Sequence, residues 1–331
     1  MYATGNKKML NMLILEILRQ YSDEEHSLTQ QEIIKLLNQN YGMECDRRSV
    51  KNNVLSLKEM GYDIAMDKGY RLLSREFDDS ELRILIDSVL FSKSISTRQA
   101  KGLIEKIRGL ASKYFNAKVT HVSNLPELHR TQNKQAMYSL DAINDAIAEK
   151  KKIEFTYNEM GKDFKLHPKR EEPYKVNPYQ IVANNGRFYL IGNYDKYDNI
   201  AHFRIDKMTD VRMLDEKRKP MSQVPEVAGG LNLPKHMAEH VYMFSGESVA
   251  VKVKTTENMM SELTDWFGND FTVLGAGDGE IIARIICNEN AMRYWALQYG
   301  PYVEVLEPES LRRQLSQDVR EMARKYGDDV R

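Results

Sequence analysis

Two short stretches of this sequence carry side chains whose types and spacing could support chemistry. In the first, His236, Glu239 and His240 follow the H-x-x-E-H pattern of one class of zinc metalloproteases. A catalytic zinc ion needs a third protein ligand and an open coordination position, and no other part of the sequence completes such a set. We therefore predict a helix that connects two domains and carries surface histidines, and we expect no catalytic residue, no metal site and no cofactor.

The second stretch, residues 201–208, separates apolar from polar side chains by alternation. Period-two geometry places Phe203 and Ile205 on one face of a strand. The other face carries His202, Arg204 and Asp206. Arg204 offers a planar donor fork to an anion, and His202 can add a hydrogen bond, whereas Asp206 is expected to hold Arg204 or a neighbouring side chain. The alternative is an internal ion pair between Arg204 and a carboxylate.

Composition leaves nucleic-acid binding open, because the chain of 331 residues has 48 basic and 48 acidic side chains. The charges are unevenly distributed: residues 151–219 hold 15 basic and 11 acidic side chains, and residues 246–331 hold 10 and 15. The middle of the chain can therefore attract an anion. Cys45 and Cys287 supply neither a disulfide framework nor a zinc cluster. With no signal-like N-terminus and no apolar run of roughly 20 residues, we expect a cytoplasmic protein that does not bind membranes.

Residues 1–75 predict three short helices followed by a hairpin. Thr29 and Glu32 form a capping box for the second helix, and Asp46 is a candidate N-cap for the third. This order is typical of a winged helix-turn-helix, whose third helix meets base edges in the major groove of duplex DNA. The alternative is a small helical domain with a solvated basic face. The candidate DNA contacts are Arg47, Arg48, Ser49, Lys51, Asn52, Lys68 and Tyr70.

Residues 76–135 predict amphipathic helices that form a helical linker without identifiable chemistry. Asp78 or Asp79 can cap the first of these helices and Thr97 the second. Residues 119–134 lose the helical periodicity and predict a linker or a turn. Such helices often dimerise in regulators, although packing in a core is the commoner reason for an apolar stripe.

The remaining sequence predicts two domains rich in β-structure. Residues 136–220 change to short strands with a tight turn at residues 184–186, which indicates a small antiparallel barrel. After a connector at residues 221–245, residues 246–331 follow the β-α-β-β-α-β order of a ferredoxin-like α+β domain. The glycines at residues 275–279 indicate a hairpin turn and not a phosphate loop, because no Lys-Ser/Thr follows them.

The segments GRFYLIG and HFRIDKM together resemble the sensor domain of bacterial WYL-domain transcription regulators. The motif triplet falls on Phe188, Tyr189 and Leu190, with phenylalanine in place of the name-giving tryptophan. Upstream, Lys175 and Pro178 match the basic residue and proline of the family, although arginine is usual at the first position. The segments RRSVKNNVLSLKEMGYDI, GYRL and WALQYGPYVEVLEPESLRRQL resemble the recognition helix, the wing and the C-terminal extension, or WCX, domain of the same family.

The resemblance implies a ligand-responsive transcriptional regulator that acts as a homodimer. Its middle domain would be an Sm-like or SH3-like small barrel that binds a nucleotide, a single-stranded nucleic acid or another anion. Stacking by Tyr189 would suit a base. The implied ligand contacts are Lys175, Tyr189, His202 and Arg204, and Lys169 or Arg170 could substitute for Lys175 as the basic contact. An alternative is a nucleic-acid-binding accessory protein of a CRISPR or anti-phage system, acting mainly through the middle domain.

Overall fold

Three helices and a short hairpin begin the chain. The structure is a computed structural model, and it describes residues 7–118, 131, 133–277 and 279–327. The first elements are α1 (Leu10–Tyr21), α2 (Gln30–Tyr41), α3 (Arg47–Glu59), β1 (Ile64–Ala65) and β2 (Arg71–Leu72). The two strands pair antiparallel. These elements share one apolar core, and they belong to the first of two units, residues 1–132.

Helix α3 begins at the predicted residue. The side chain of Asp46 accepts a hydrogen bond from the backbone N–H of Ser49 at 2.7 Å, as expected of an N-cap. Thr29 and Glu32 form the predicted capping box of α2. The buried side chains of α3 recur at helical spacing, and they are Val50, Val54 and Leu57. One side of α3 is therefore fixed in the core.

Replacing Asp46 with alanine should lower the free energy of unfolding by about 1 kcal/mol, because the Ser49 amide loses its capping acceptor. Urea denaturation of the full chain, followed by circular dichroism, would measure the change. Asp46→Asn is the matched control, since asparagine caps a helix about as well as aspartate. Equal midpoints for the alanine variant and the unmodified chain would contradict the expectation.

Three more helices complete the described part of the first unit. They are α4 (Asp79–Phe91), α5 (Thr97–Arg108) and α6 (Lys113–Lys118). Asp78 caps α4, whereas Ser96 and not Thr97 caps α5, so the prediction for Thr97 is wrong. Ser96 lies three residues before Gln99 and completes a capping box with it, which places Thr97 inside the helix. Residues 119–130 of the predicted linker lie outside the described residues.

A curled antiparallel sheet covered by one helix begins the second unit, residues 133–331. Its elements are α7 (Ala136–Glu149), β3 (Lys151–Met160), β4 (Leu166–Pro168), β5 (Tyr174–Asn184), β6 (Arg187–Tyr194), β7 (Ile200–Arg204) and β8 (Met208–Lys217). The strand order is β4-β3-β5-β6-β7, and β8 pairs with β3 outside this order, along residues 151–157. The predicted tight turn joins β5 to β6, with positive φ at Asn185 and Gly186.

The core of this sheet is apolar and rich in aromatic rings. Ile143 and Ala146 of α7 are fully buried against it, together with Ile153 and Leu190 of the sheet. The ring of Phe155 meets the ring of Phe203 edge to face, with 5.4 Å between their centroids. Phe203 thus points into the core, as its position in the alternating pattern predicts.

A connector and a second antiparallel sheet complete the chain. The connector contains the short helix α8 (Leu233–Glu239). The elements that follow are β9 (Ser248–Thr256), α9 (Met260–Phe267), β10 (Phe271–Gly277), β11 (Glu280–Asn288), α10 (Glu289–Gln298), β12 (Glu304–Glu307) and α11 (Glu309–Lys325). The strands lie in the order β10-β11-β9-β12, and all neighbours are antiparallel. Gly277 pairs with Glu280, as expected for a hairpin at this point, although residue 278 itself is outside the described residues.

Within the described part of the chain, no helix combines the length and the apolar character needed to cross a membrane.

Candidate functional site

The polar face of β7 lies directly beside the polar face of β6. Tyr189 is the cross-strand partner of Arg204, and Ile191 is the partner of His202. Directly opposed residues of an antiparallel pair project to the same side of the sheet. The strand pairing therefore places Tyr189, Arg204 and His202 on one face, opposite the core face that carries Phe203.

Arg204 and Arg187 share one buried carboxylate. Strand β7 ends at Arg204, and a 3-10 turn, Ile205–Lys207, brings Asp206 inward to 4% exposure. Asp206 accepts hydrogen bonds from Arg204 Nε at 3.1 Å and Nη2 at 2.7 Å, and from Arg187 Nη1 at 2.6 Å. We call Arg187 and Arg204 the arginine pair. Asp206 thus contacts Arg204, as predicted. The same contact also fits the alternative, an internal ion pair between Arg204 and a carboxylate.

The arginine pair keeps an excess positive charge, because two guanidinium groups face one carboxylate. Burial disfavours the charged form of Arg204, but the hydrogen bonds and the charge of Asp206 outweigh burial and raise the pKa of Arg204. The hydroxyl of Tyr157 accepts a hydrogen bond from the backbone N–H of Arg204 at 3.2 Å. Burial raises the pKa of Tyr157 to about 12 and also raises the pKa of Tyr189. Both phenols therefore stay neutral beside the guanidinium groups.

A third cation, Lys207, lies close to Arg204. Burial and the positive charge of Arg204 lower the pKa of Lys207. Among the described residues, Lys207 has no salt-bridge partner. The sequence analysis did not identify Lys207 or Arg187 as site residues. Lys207 follows Asp206 in HFRIDKM, but strand alternation places it on the face of Phe203 and Ile205, away from Arg204.

The other basic residues predicted to bind a ligand are Lys169, Lys175 and Arg170, and their contacts in the structure are with residues other than the arginine pair. Lys169 is paired with Glu159 at 3.0 Å, and Lys175 with Glu216 at 3.3 Å. The guanidinium of Arg170 lies 3.6 Å from the centroid of the Tyr174 ring. It also donates hydrogen bonds to Tyr194 and to two backbone carbonyls. These three residues form contacts of their own, and their role in ligand binding stays a prediction.

Comparison with protein families gives two adjacent matches in the second unit. Residues 139–213 match the WYL domain model, and residues 247–323 match the WCX domain model. The chain carries a WYL domain followed by a WCX domain. The WYL match contains β6, β7 and the arginine pair, so the resemblance seen in the sequence is confirmed for both domains.

Two solved structures are similar to the chain at low identity. The proteasome accessory factor B/C (PafBC) of Arthrobacter aurescens is 14% identical, with a TM-score of 0.32, over 97% of this chain and 49% of that chain. A structure described as a CRISPR Cas-related protein is 14% identical, with a TM-score of 0.41, over 78% of this chain and 76% of that chain. The chain thus spans about half the length of the PafBC chain. No curated protein matches it.

His202 of the WYL domain contacts the connector and not the arginine pair. Its Nε2 atom lies 2.8 Å from Nε2 of His236 on α8. His240 is only 7% exposed, so the prediction of surface histidines is wrong for this residue. The sequence analysis did not predict that His202 lies next to His236 and His240. His202 is 34 residues from His236 along the chain, and the residues meet only in the folded unit.

In the first unit, the predicted DNA contacts differ in accessibility. The side chains of Arg47, Arg48, Lys51, Asn52 and Lys68 are exposed, and Ser49 is half-buried. The ring of Tyr70 is only 7% exposed, and its hydroxyl accepts a hydrogen bond from Gln30 Nε2 at 2.8 Å. Tyr70 therefore packs the hairpin against α2, which makes it the least accessible of the predicted contacts.

Proposed function

We propose that the chain is a homodimeric, ligand-responsive transcriptional regulator. In this proposal residues 1–75 act as a winged helix-turn-helix that binds duplex DNA. The WYL domain, as an Sm-like barrel, binds an anionic ligand at the arginine pair, and the C-terminal sheet is a ferredoxin-like unit. The ligand would be a nucleotide or a single-stranded nucleic acid, and its binding would shift the equilibrium between DNA-binding states.

The observation that carries the proposal is the exposed basic surface at the N-terminus of α3. Arg47, Arg48 and Lys51 are exposed, and none of them forms a salt bridge with a described residue. A helix N-terminus already favours contact with phosphate oxygens. Arginine suits guanine edges and lysine suits phosphates, and the exposed Asn52 suits adenine. This is the part of a third helix that enters the major groove in helix-turn-helix proteins.

The hairpin after α3 supports the same function. The backbones of Leu28 and Tyr70 exchange hydrogen bonds of 2.9 and 2.8 Å, which fasten the hairpin to the start of α2. Ser27 Oγ donates a further hydrogen bond to the carbonyl of Lys68 at 2.9 Å. Gly69, with φ of 122°, allows the turn to approach this close. The exposed Lys68 is thus presented on a fixed turn, as a wing contacting the backbone of DNA requires.

The arginine pair supports anion binding in the WYL domain. Asp206 accepts hydrogen bonds from Nε and Nη2 of Arg204. The N–H donors of Arg204 Nη1 therefore remain for a ligand. Tyr189, the cross-strand partner of Arg204, offers an aromatic face for a base. Lys207 adds a cation at the same place. A phosphate next to a planar base fits these groups better than a small inorganic anion does.

A titration of duplex DNA from upstream of the gene would test the proposal. The duplex is labelled, scrambled duplex serves as competitor, and the titration is repeated at several salt concentrations. We expect binding that survives the competitor, two copies of the chain per duplex, and a steep fall of affinity with salt. Binding equal to that of the scrambled duplex would contradict a sequence-specific regulator. Preference for the single strand would favour action through the WYL domain.

Replacing Arg204 with lysine should weaken binding of a labelled single-stranded oligothymidylate about tenfold. Lysine keeps the charge but loses the planar fork that an arginine presents to phosphate. Fluorescence anisotropy on the full chain would measure the affinity. Arg212→Lys is the matched control, because Arg212 lies in the same domain and its side chain is 71% exposed beside Glu154. Equal weakening in the two variants would count against a site at the arginine pair.

A further inference from the structure

Three histidine rings meet where the WYL domain contacts its connector. His202 comes from β7, His236 from α8, and His240 is the C-cap residue that follows α8. The ring centroids of His236 and His240 are 4.2 Å apart, and each lies 5.0 Å from the centroid of His202. One ring nitrogen of each residue lies within 4.8 Å of the other two. Two elements far apart in sequence thus place three imidazoles around one point.

The local structure of α8 orients two of these rings. His236 and His240 are four residues apart and therefore project from the same side of the helix. The Nδ1 atom of His240 lies 3.0 Å from the backbone carbonyl of His236, which accepts a hydrogen bond from an Nδ1–H. That contact fixes the tautomer and leaves the Nε2 lone pair of His240 available. Metal-binding histidines commonly hold their second nitrogen in this way.

Burial disfavours a charged imidazole, and a metal ion binds only the neutral ring. Burial, aided by the charges that His240 and His236 would carry, lowers the pKa of His202 to about 3. Burial and His240 lower the pKa of His236 to about 4. None of the three histidines forms a salt bridge with a described carboxylate. No ion pair with a described carboxylate therefore occupies these rings.

Hydrogen bonds among the three histidines do not account for one buried ring nitrogen, Nδ1 of His202. The buried Nδ1 of His202 has no hydrogen-bond partner of normal geometry among the described residues. The His202 ring interacts with the backbone of Phe244, but burial outweighs that contribution to its pKa. A metal ion on Nε2 would require the tautomer with the proton on Nδ1, and that N–H would face the backbone of Phe244.

An acidic cleft opens onto two of these histidines, His236 and His240. It has a volume of about 270 Å³, and its lining includes His236, His240 and the carboxylates Glu226, Glu239 and Glu247. Glu226 is held by a hydrogen bond of 2.7 Å from the backbone N–H of Ile200. Several carboxylates around a cleft attract cations. The space is large enough for a hydrated ion, because each water molecule takes up about 30 Å³.

We propose that His202, His236 and His240 bind one divalent transition-metal ion, with zinc as the first candidate. Imidazole ligands suit zinc, copper and nickel, and zinc accepts three histidines with water in a fourth position. Zinc–nitrogen bonds of about 2.0–2.1 Å place tetrahedral ligands about 3.4 Å apart, so the rings need to move by roughly 1 Å. The bound ion would join β7 of the WYL domain to α8 of the connector. The proposal is independent of DNA binding and of anion binding at the arginine pair.

Titration of the metal-free full chain with Co²⁺ would test this proposal. The chain is prepared without an affinity tag and is stripped with a chelator. We expect one equivalent of Co²⁺ to give the intense visible bands of tetrahedral coordination, and one equivalent of Zn²⁺ to remove them. Zn²⁺ should also raise the midpoint of thermal unfolding, since an ion that binds only the folded chain stabilises it.

Variants then assign the ligands. His236→Asn and His240→Asn should each weaken Co²⁺ binding at least about 100-fold, whereas His167→Asn should leave it unchanged. His167 is an exposed histidine of the WYL domain, paired with Asp163, and serves as the matched control. Circular dichroism checks that the variants fold. The thermal shift caused by Zn²⁺ is measured on the unmodified chain, so it tests the proposal even if a variant does not fold. Absence of tetrahedral bands, or equal Co²⁺ binding in the His236 and His167 variants, would overturn the proposal.

Discussion

Replacing Arg47 and Arg48 together with alanine is expected to weaken binding to duplex DNA at least about 100-fold, without unfolding the chain. Each arginine contact with a base or a phosphate contributes about 1–3 kcal/mol, and two such losses multiply. Both side chains are exposed at the start of α3, outside its buried side, so the fold does not depend on them. Fluorescence anisotropy with labelled duplex would measure the affinities, and the slope against salt should fall by about 2.

The control for this double variant removes two other positive charges from the same unit. Lys101 and Lys106 are exposed on α5, and alanine at both positions changes the net charge by the same amount. If this variant binds duplex as the unmodified chain does, the loss in the arginine variant is local to α3. If both variants lose affinity equally, binding depends on overall charge, and the proposed role of α3 is wrong.

Replacing Asp206 with asparagine should lower the free energy of unfolding of the second unit by about 2–4 kcal/mol. Removing one partner of a buried ion pair costs about 3–5 kcal/mol, and we reduce that range because the side chains of Arg187 and Arg204 remain 23% and 29% exposed. Without the carboxylate, two half-buried guanidinium groups face each other uncompensated. Thermal and urea unfolding of the full chain would measure the loss.

The same substitution should change how a polyanion affects stability. Asp206 competes with any anion for the arginine pair, so its loss frees guanidinium donors. A single-stranded oligonucleotide should therefore raise the unfolding midpoint of the Asp206→Asn variant more than that of the unmodified chain. Asp215→Asn is the matched control, since the Asp215 side chain is fully exposed. An unchanged midpoint for Asp206→Asn without ligand would contradict the importance of the shared carboxylate.

Helix caps and tight turns were predictable from the sequence because interactions between residues close in sequence determine them. The Asp46 cap, the capping box of α2 and the turn at residues 184–186 all depend on neighbours within four residues. The failure at Thr97 is of the same kind: two adjacent hydroxyl residues compete for the N-cap, and Gln99 favours Ser96. Alternation also predicted that Phe203 of β7 faces the core.

The sites themselves depend on contacts that no local pattern contains. Alternation extended the strand through Asp206, whereas a 3-10 turn moves that carboxylate between Arg204 and Arg187. Arg187 is 19 residues from Asp206, and only the pairing of β6 with β7 brings the two together. His202 reaches His236 because α8 packs against β7. Predicting either site requires knowing how elements dock, which hydrophobic periodicity does not specify.

The separate faces of α3 have a consequence for how such a protein can diverge. Val50, Val54 and Leu57 maintain the core, while Arg47, Arg48, Lys51 and Asn52 make no contribution to it. Mutations at the exposed positions are therefore nearly free of a stability penalty. If α3 binds DNA as proposed, one copy could acquire a different target sequence after gene duplication through a few neutral steps, with its fold preserved at every intermediate.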